Sequence, residues 1–287
     1  MTERLADISA RIDGIRQLGA VVNAMRGIAA ARARQARGQL VAVDGYAAAI
    51  AGAIGTVIAA MPDTVPDDVG RPVRPALVLF CAEQGFAGAF SERLLDAAGA
   101  DLAGSELFLI GTRGGVIAKE RGIIPHWTSA MPSHSLGVPK LADRIAEALY
   151  ARIATGQIGR LDLVFSQWRS GSASHVVRRR LFPLDMAAFP RLTGASAPLH
   201  NVAAPALLGE LTAAYTHAQL CEAALHAFAA ENQARMEAMA AARSQIERML
   251  TGLLATQRQV RQEEITAEII ELAAGESASR GHRQPAH

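Results

Sequence analysis

Two glycine-rich segments follow apolar runs that are typical of strands, and segments of this kind can bind phosphate. They are residues 85–88, Gly-Phe-Ala-Gly, and residues 111–115, Gly-Thr-Arg-Gly-Gly. Backbone N–H groups at the start of a helix attract anions. Neither segment continues into Gly-Lys-Ser/Thr, and neither completes Gly-x-Gly-x-x-Gly, so neither carries a nucleotide-binding fingerprint. Glycines after strands are usually turns, and we favour that interpretation.

The other residues with catalytic or metal-binding potential are dispersed. The eight histidines include no pair at metal-ligand spacing, and His134 and His175 have no nucleophile–base set near them in sequence. Cys81 lies in a strand-like apolar run and Cys221 in a helix-like one, where a thiol is usually inert packing. Two cysteines favour a reduced compartment over a disulfide framework. The sequence therefore predicts no catalytic residue, no metal site and no cofactor.

A run of arginines near the amino end is the most distinctive charged feature. Arg26, Arg32, Arg34 and Arg37 lie in the segment 14–43, which contains no Asp or Glu. A solvated helix face is the default interpretation of such a run, yet the local chain supplies no balancing acid. The formal net charge is only +2, which does not favour nucleic acid. We expect an acidic protein partner, with an anionic membrane surface or nucleic acid as alternatives.

The positions of the prolines divide the chain into three regions. No proline precedes Pro62, and none lies between Pro205 and Pro285. A proline inside a helix costs about 3 kcal/mol, so both ends of the chain are free to form long helices. We predict an N-terminal coiled-coil helix over 1–61, a central α/β domain over 62–204, a C-terminal coiled-coil helix over 205–275 and a polar, disordered tail over 276–287.

One uncharged segment, residues 45–61, is the nearest approach to a membrane segment. It is too short, and too rich in Ala and Gly, to span a bilayer well, so we interpret it as a packed helix.

Apolar residues recur at helical spacing in both predicted long helices. In the first, they form one stripe: Leu5, Ile8, Ile12, Ile15, Leu18, Val22 and Met25. In the second, a seven-residue repeat consists of Met239, Ile246, Leu253 and Val260, with Met236 and Leu250 in the complementary row and Arg243 and Gln257 interrupting it. Pairing the two helices antiparallel covers both stripes. We expect the glycines at 14, 19, 27, 38 and 45 to permit close approach of a neighbour.

The middle of the chain alternates between strand and helix patterns. Continuous apolar runs at 76–81, 107–110 and 161–165 are typical of buried parallel strands. Helical patterns cover 92–100 and 140–154. This alternation predicts an α/β layer with a small, mostly parallel sheet.

Residues at both ends of the chain resemble F-type ATP synthase γ subunits. Residues 11–16 (Arg-Ile-Asp-Gly-Ile-Arg) and 23–32 (Asn-Ala-Met-Arg-Gly-Ile-Ala-Ala-Ala-Arg) are similar to the opening helix of that family. Residues 181–184, Leu-Phe-Pro-Leu, resemble the family's Leu-Leu-Pro-Leu. The matches to the closing helix are in order and spacing: Glu231, Arg235-Met236, Ala238-Met239, Arg261-Gln262, Ile265-Thr266, Glu268 and Glu271.

The departures from the family pattern indicate a divergent branch, such as an alternative F-type ATPase. Residues 82–89 read Ala-Glu-Gln-Gly-Phe-Ala-Gly-Ala, where the family usually has Ser-Asp-Arg-Gly-Leu-Cys-Gly-Gly. Arg32 stands where the family has Lys, Gln245-Ile246 replaces Asn-Ala, and Gln257-Arg258 replaces Tyr-Asn.

The resemblance implies a non-catalytic rotor shaft that couples proton or sodium-ion flow through a membrane ring to ATP synthesis or hydrolysis. It implies as partners the α and β subunits of a catalytic hexamer, the ε subunit and the membrane c-ring, at the cytoplasmic face of a bacterial inner membrane. The partner-binding residues expected on these grounds are Met25, Arg26, Arg32, Arg34, Arg37, Arg235, Arg261, Gln262, Thr266 and Glu268. The alternatives are a nucleotide-binding α/β enzyme with a coiled-coil dimerisation element, and a coiled-coil scaffold that binds nucleic acid through the arginines.

Overall fold

The computed structural model describes residues 2–61, 74–169, 172–190 and 201–281. Two long helices, α1 (Thr2–Ala59) and α6 (Ala204–Gly281), bracket a small α/β domain. The five strands are β1 (Arg74–Phe80), β2 (Glu106–Ile110), β3 (Trp127–Ser129), β4 (Ile158–Arg169) and β5 (Ser172–Phe182). The shorter helices are α2 (Phe90–Ala98), α3 (Asp101–Gly104), α4 (Thr112–Glu120) and α5 (Val138–Ala154). The predicted fold class, two long terminal helices with a central α/β domain, is confirmed.

The strand order in the sheet is β3-β2-β1-β4-β5. All neighbouring pairs are parallel except β4 and β5, which are antiparallel. The three predicted strands are the three central ones, because continuous burial on both faces produces the apolar runs seen in their sequences. The two edge strands were not predicted: β3 has only three residues, and β5 carries Arg178, Arg179 and Arg180 in its middle.

Helices cover both faces of the sheet. On one face, α2 and α4 pack against β1 and β2, and the buried cluster there includes Leu79, Leu94, Leu109 and Ile117. On the other face, α5 and the inner parts of α1 and α6 pack against the sheet, with Phe165, Ile145, Leu40 and Leu220 in the buried cluster. The short side chains of α6 on this face are Ala223, Ala224, Ala227 and Ala229.

The chain forms two compact units, and both long helices pass through both of them. Residues Ile28–Ala238 form the α/β domain unit, which includes the inner parts of α1 and α6. Met1–Gly27 and Met239–His287 form the other, which we call the terminal unit. The proline positions therefore indicate where the long helices end, whereas the compact units divide those helices internally.

α6 extends into the segment predicted as a disordered tail. Residues 276–281 continue the helix, and residues 282–287 of the predicted tail lie outside the described residues. Ala274, Glu276 and Ala278 favour helix, and after Pro205 no proline interrupts the segment before Pro285.

α1 is long and apolar enough, by length and composition, to cross a membrane. In the structure, however, Ile50 and Ile54 are buried against Phe189. The uncharged part of α1 therefore packs within the α/β domain unit, as the interpretation of residues 45–61 expected.

Only some glycines of α1 allow a close approach. A Cβ at Gly19 would lie 3.4 Å from Ile246 Cγ2, so this glycine does permit helix contact. At Gly14, Gly27, Gly38 and Gly45 no described atom would lie within 4 Å, because these positions face away from the packed side of the helix. No described element approaches those four, and their close approach by a neighbour stays a prediction.

The two lysines of the chain, Lys119 and Lys140, are exposed on α4 and α5. Neither long helix contains a lysine.

Candidate partner-binding surfaces

The terminal unit is an antiparallel helix pair with a narrow apolar seam. Ile8 and Ile12 of α1 pack against Val260 of α6, and Val22 packs against Met239 and Ile246. Because low-numbered residues of α1 meet high-numbered residues of α6, the helices run in opposite directions. The predicted seven-residue repeat is confirmed, since Met239, Ile246 and Val260 are buried and Leu253 is half-buried.

Polar residues that interrupt the repeat find partners of their own. Gln257 Nε2 donates to Ser9 Oγ at 3.0 Å, which joins the two helices by a hydrogen bond. Arg243 donates to Glu247 Oε1 at 2.8 Å along the exposed face of α6. Neither polar residue breaks the seam.

Four of the predicted partner-binding residues lie on the exposed surface of the terminal unit. Arg261, Gln262, Thr266 and Glu268 are all exposed on α6. Thr266 Oγ1 donates to the Gln262 carbonyl at 2.8 Å, a bond within the helix. The side chains of Arg261 and Glu268 make no hydrogen bond or ion pair with another described residue. Their polar groups are therefore available to a partner.

A second set of exposed residues on the same stretch of α6 is apolar, and sequence reasoning did not identify it as a surface. Ile265 is 51% exposed, Ile269 60%, Ile270 63% and Leu272 74%. Large side chains exposed together mark contact surfaces more often than scattered ones do. The signal in the sequence was the recurrence of isoleucine in a segment that the seven-residue repeat no longer covers.

The arginines of α1 differ in their environments. Arg26 is exposed in the terminal unit, Arg34 is exposed in the α/β domain unit, and Arg32 is half-buried there. Met25, predicted as a contact residue, is half-buried and packs into the Val22 cluster of the helix pair.

Arg37 faces the interior of the α/β domain unit. Its guanidinium lies 4.2 Å from the centre of the Trp168 ring, and its Nη2 donates to Gln233 Oε1 at 2.9 Å. Burial, together with the nearby charge of Arg34, lowers the pKa of Arg37. Ala33, Ala36 and Leu40 orient this side of α1 toward the sheet, so Arg37 makes these contacts within the domain unit, and its role in partner binding stays a prediction.

Arg235 is also an internal residue. It is 5% exposed, and it bonds to the side chains of Glu231 and Asn232 and to the carbonyl oxygens of Gln84 and Gly85. Its guanidinium therefore holds the loop after β1 and is not displayed to a partner.

The carboxylate of Glu83, from the loop after β1, binds the glycine-rich segment that follows β2. Glu83 accepts hydrogen bonds from Thr112 N at 2.9 Å, from Thr112 Oγ1 at 2.7 Å and from Met131 N at 2.8 Å. A carboxylate at a helix N-terminus occupies the position that a phosphate would take. Gly111, with φ of 106°, provides the turn that brings α4 to this position. The interpretation of this segment as a turn fits the structure better than a phosphate cradle.

The two thiols are buried. Burial raises the pKa of Cys81 to about 12 and that of Cys221 to about 12, so both thiols are protonated at neutral pH. Cys81 is packed against Gly114, where a Cβ would lie 2.1 Å from the cysteine's own Cβ.

Comparison with known proteins decides the family. A family model described as ATP synthase matches residues 4–278. Curated relatives carry the name ATP synthase gamma chain: one from Parafrankia sp. is 28% identical over 97% of this chain and 98% of the relative. The chain belongs to the ATP synthase γ family. A second γ chain, from Chlorobium luteolum, is 26% identical over 96% of this chain and 98% of the relative.

Solved structures share the fold. A chain of the Euglena gracilis mitochondrial ATP synthase, described as OSCP/F1/c-ring in rotational state 3, matches with a TM-score of 0.65 and 12% identity, covering 100% of this chain and 98% of that one. A chain of the Tetrahymena thermophila mitochondrial ATP synthase, described as central stalk and c-ring, matches with a TM-score of 0.52 and 15% identity, covering 77% and 99%. These matches show a shared fold, over the full length of this chain in the Euglena comparison and over 77% of it in the Tetrahymena comparison.

The family motif residues separate into two groups in this fold. Arg261, Gln262, Thr266 and Glu268 are displayed on the terminal unit, whereas Glu231 and Arg235 are buried in the α/β domain unit. The motif spacing in the sequence carries no information on this difference, because the loop that Arg235 binds lies about 150 residues away, at Gln84 and Gly85.

Proposed function

We propose that this chain is the central shaft of a rotary F-type ATPase. The terminal unit would lie inside a sleeve of α and β subunits, and the α/β domain unit would contact the ε subunit and a membrane c-ring that carries protons or sodium ions. The complex would be peripheral to a bacterial inner membrane, on its cytoplasmic side. Membership of the γ family supports this role.

One observation carries the proposal beyond family membership. Ile265, Ile269, Ile270 and Leu272 are more than half exposed on α6. They lie beside Arg261 and Glu268, whose side chains pair with no described residue. Large apolar side chains that are exposed together mark a surface that a partner covers. Apolar contacts are non-directional, so such a surface can be covered by a sleeve within which it turns.

The mechanism that follows is mechanical coupling. The shaft presents different side chains around its circumference, so each surrounding subunit meets a different surface at each rotary position. A contact that favours one conformation of a subunit shifts its population by the difference in contact free energy. Rotation would therefore bring every nucleotide site through the same series of states in turn.

The enzymatic alternative has less support. The anion position at the start of α4 is filled by Glu83, and both thiols are protonated and buried. No observation in the described residues favours nucleotide binding by this chain.

The double variant Arg261→Ala/Gln262→Ala tests the role of the terminal unit. We expect fewer assembled complexes or reduced coupled turnover, because polar contacts to the sleeve are lost while the α/β domain unit is unchanged. A single hydrogen bond to a charged group contributes about 1.5–3 kcal/mol, enough for a measurable loss. Co-purification with the ATPase subunits and ATP-driven ion transport measure the two outcomes.

Arg144→Ala is the matched control, since Arg144 is an exposed helical arginine on α5. It should assemble and turn over as the parent chain does. Normal assembly and turnover in the double variant would reject the assigned contacts of Arg261 and Gln262.

A further inference from the structure

One turn of α6 binds the loop that follows β1. Glu231 Oε2 accepts a hydrogen bond from Glu83 N at 3.2 Å, and Oε1 accepts one from Gln84 N at 3.3 Å. Arg235 donates to the carbonyl oxygens of Gln84 and Gly85, each at 3.2 Å. The helix thus supplies both the acceptors and the donors that this loop needs. We call Glu231, Arg235 and the loop 83–85 the α6 clamp.

The two α6 side chains of the clamp are buried. The side chains of Arg235 and Glu231 are 6% and 4% exposed, and they also pair with each other. Burying a charged pair is costly unless its hydrogen bonds are satisfied, and removing one partner of such a pair leaves the other charge uncompensated. Each side chain in the clamp therefore depends on the other and on the loop.

Glu83 extends the clamp to the rest of the sheet edge. Its backbone N–H binds Glu231, while its side chain binds the start of α4 at Thr112 and the backbone of Met131 after β3. A single residue thus links α6 to the segments that follow β2 and β3.

Apart from the bonds of Arg179 on β5 to Gln219 and Glu222, the remaining contact between α6 and the sheet consists largely of small apolar residues. Ala223, Ala224, Ala227 and Ala229 are buried there, together with Leu220 and Phe228. Apolar burial opposes separation of the helix from the sheet but has no preferred direction within the surface. Hydrogen bonds have a preferred direction and weaken steeply when they are bent. Of the two kinds of contact, the hydrogen bonds of the clamp are the better suited to oppose twisting of α6 about its own axis.

We propose that the α6 clamp transmits torque between the α/β domain and α6, so that Glu231 and Arg235 are positioning residues for rotary coupling. This rests on the proposed function as a shaft. When the domain is turned, the twist reaches α6 through directional contacts, which are the four hydrogen bonds from Glu231 and Arg235 to the loop and the ion pair between Arg179 of β5 and Glu222 of α6. A weakened clamp would let the helix lag behind the domain, and ATP would be hydrolysed without the matching ion movement.

A second pair on α6 provides a control with the same chemistry. Arg243 and Glu247 are also four residues apart and ion-paired, but they are 49% and 59% exposed and bond only along the helix. Arg243→Ala therefore removes an Arg–Glu pair from α6 without removing a link to the sheet.

The test uses the assembled ATPase complex that carries Arg235→Ala, Arg243→Ala or the parent chain. In Arg235→Ala, we expect hydrogen exchange of the Glu83 and Gln84 amides to become about a hundredfold faster, because the buried carboxylate loses its partner. ATP hydrolysis per complex should be retained, while ions transported per ATP hydrolysed should fall severalfold. Arg235→Lys keeps the charge but not the forked geometry, and it should restore part of the transport. Arg243→Ala should match the parent chain in every measurement.

A purely structural role would lower the yield of complex and leave the transport per ATP of assembled complexes unchanged, and that result would overturn the proposal. Unchanged exchange at Glu83 and Gln84 would overturn it as well. If Arg235→Ala prevents assembly, Glu231→Gln tests the clamp instead: an amide has one acceptor oxygen where the carboxylate has two, so at least one bond from the Glu83 and Gln84 amides is lost. Normal transport per ATP in assembled Glu231→Gln complexes would again overturn the proposal. Failure of the parent chain to co-purify with ATPase subunits would instead overturn the proposed function.

Discussion

His226 lies in the interior of the α/β domain unit, beside charged side chains from two elements. Its Nε2 lies 3.8 Å from Glu222 Oε1, and its ring stacks on Phe165 with centroids 5.9 Å apart. Its Nδ1 has no hydrogen-bond partner among the described residues. Burial lowers the pKa of His226; Glu222 opposes this effect, and Arg179 adds to it. The neutral imidazole is therefore the form that fits the fold.

The lowered pKa of His226 makes the stability of the domain dependent on pH. The pKa falls below the ordinary value of 6.5 on folding, so the unfolded chain binds more protons than the folded one. Stability from this residue is complete above about pH 6.5 and is lost as pH falls through the interval below it. We expect His226→Phe, which retains the stacked ring but cannot be protonated, to reduce the loss of unfolding free energy on acidification.

Urea unfolding followed by the fluorescence of Trp127 and Trp168, both in the sheet, measures this effect at neutral and mildly acidic pH. His175→Phe is the control, because His175 is exposed on β5. An equal pH dependence in His226→Phe and the parent chain would show that another group is responsible.

Two glycines one turn apart on α1 differ in the space around them. A Cβ at Gly55 would lie 2.0 Å from the carbonyl oxygen of Pro190, whereas at Gly52 nothing described lies within 4 Å. The segment at Pro190 therefore lies directly on α1 where Gly55 provides room.

We expect Gly55→Ala to destabilise the α/β domain unit by about 1–3 kcal/mol, because the backbone at Pro190 must move. Gly52→Ala should instead stabilise it by about 0.5–1 kcal/mol, since alanine is the better helix former. Urea unfolding free energies of both variants measure the contrast. Equal effects of the two substitutions on the unfolding free energy would mean that the backbone at Pro190 moves away from α1 without destabilising the fold.

The elements that the sequence predicts are those whose burial is either continuous or periodic along the chain. Central strands buried on both faces, and helices with one apolar stripe, leave a pattern in the sequence. β5 leaves none, because Arg178 and Arg179 alternate between the two faces: Arg178 binds Asp162, and Arg179 binds Glu222. The interior positions of Arg37 and Arg235 could not be predicted either, since their partners Gln233 and Gly85 are far away in the chain.

The terminal unit has few buried apolar contacts of its own. Its two apolar clusters are centred on three buried residues each, Ile8 with Ile12 and Val260, and Val22 with Met239 and Ile246. The sheet, by contrast, buries β1 and β2 almost completely. Regions with few buried apolar contacts open at low free-energy cost.

In the isolated chain, we therefore expect fast hydrogen exchange over residues 2–27 and 239–281 and slow exchange in β1 and β2. Assembly into the complex should slow exchange in the terminal unit, because the surrounding subunits would cover its apolar side chains. Exchange measured by mass spectrometry on the isolated and assembled chain makes the comparison. Equal protection of the terminal unit in both states would contradict the need for a sleeve.

The placement of Lys119 and Lys140 has a practical consequence. Both amines are exposed on the α/β domain unit, and α1 and α6 have no lysine side chain. A dye or bead coupled through lysine amines is thereby directed to the domain that would lie outside the hexamer, and it leaves the side chains of the long helices untouched. These two lysines are thus attachment points for single-molecule rotation measurements that need no engineered cysteine.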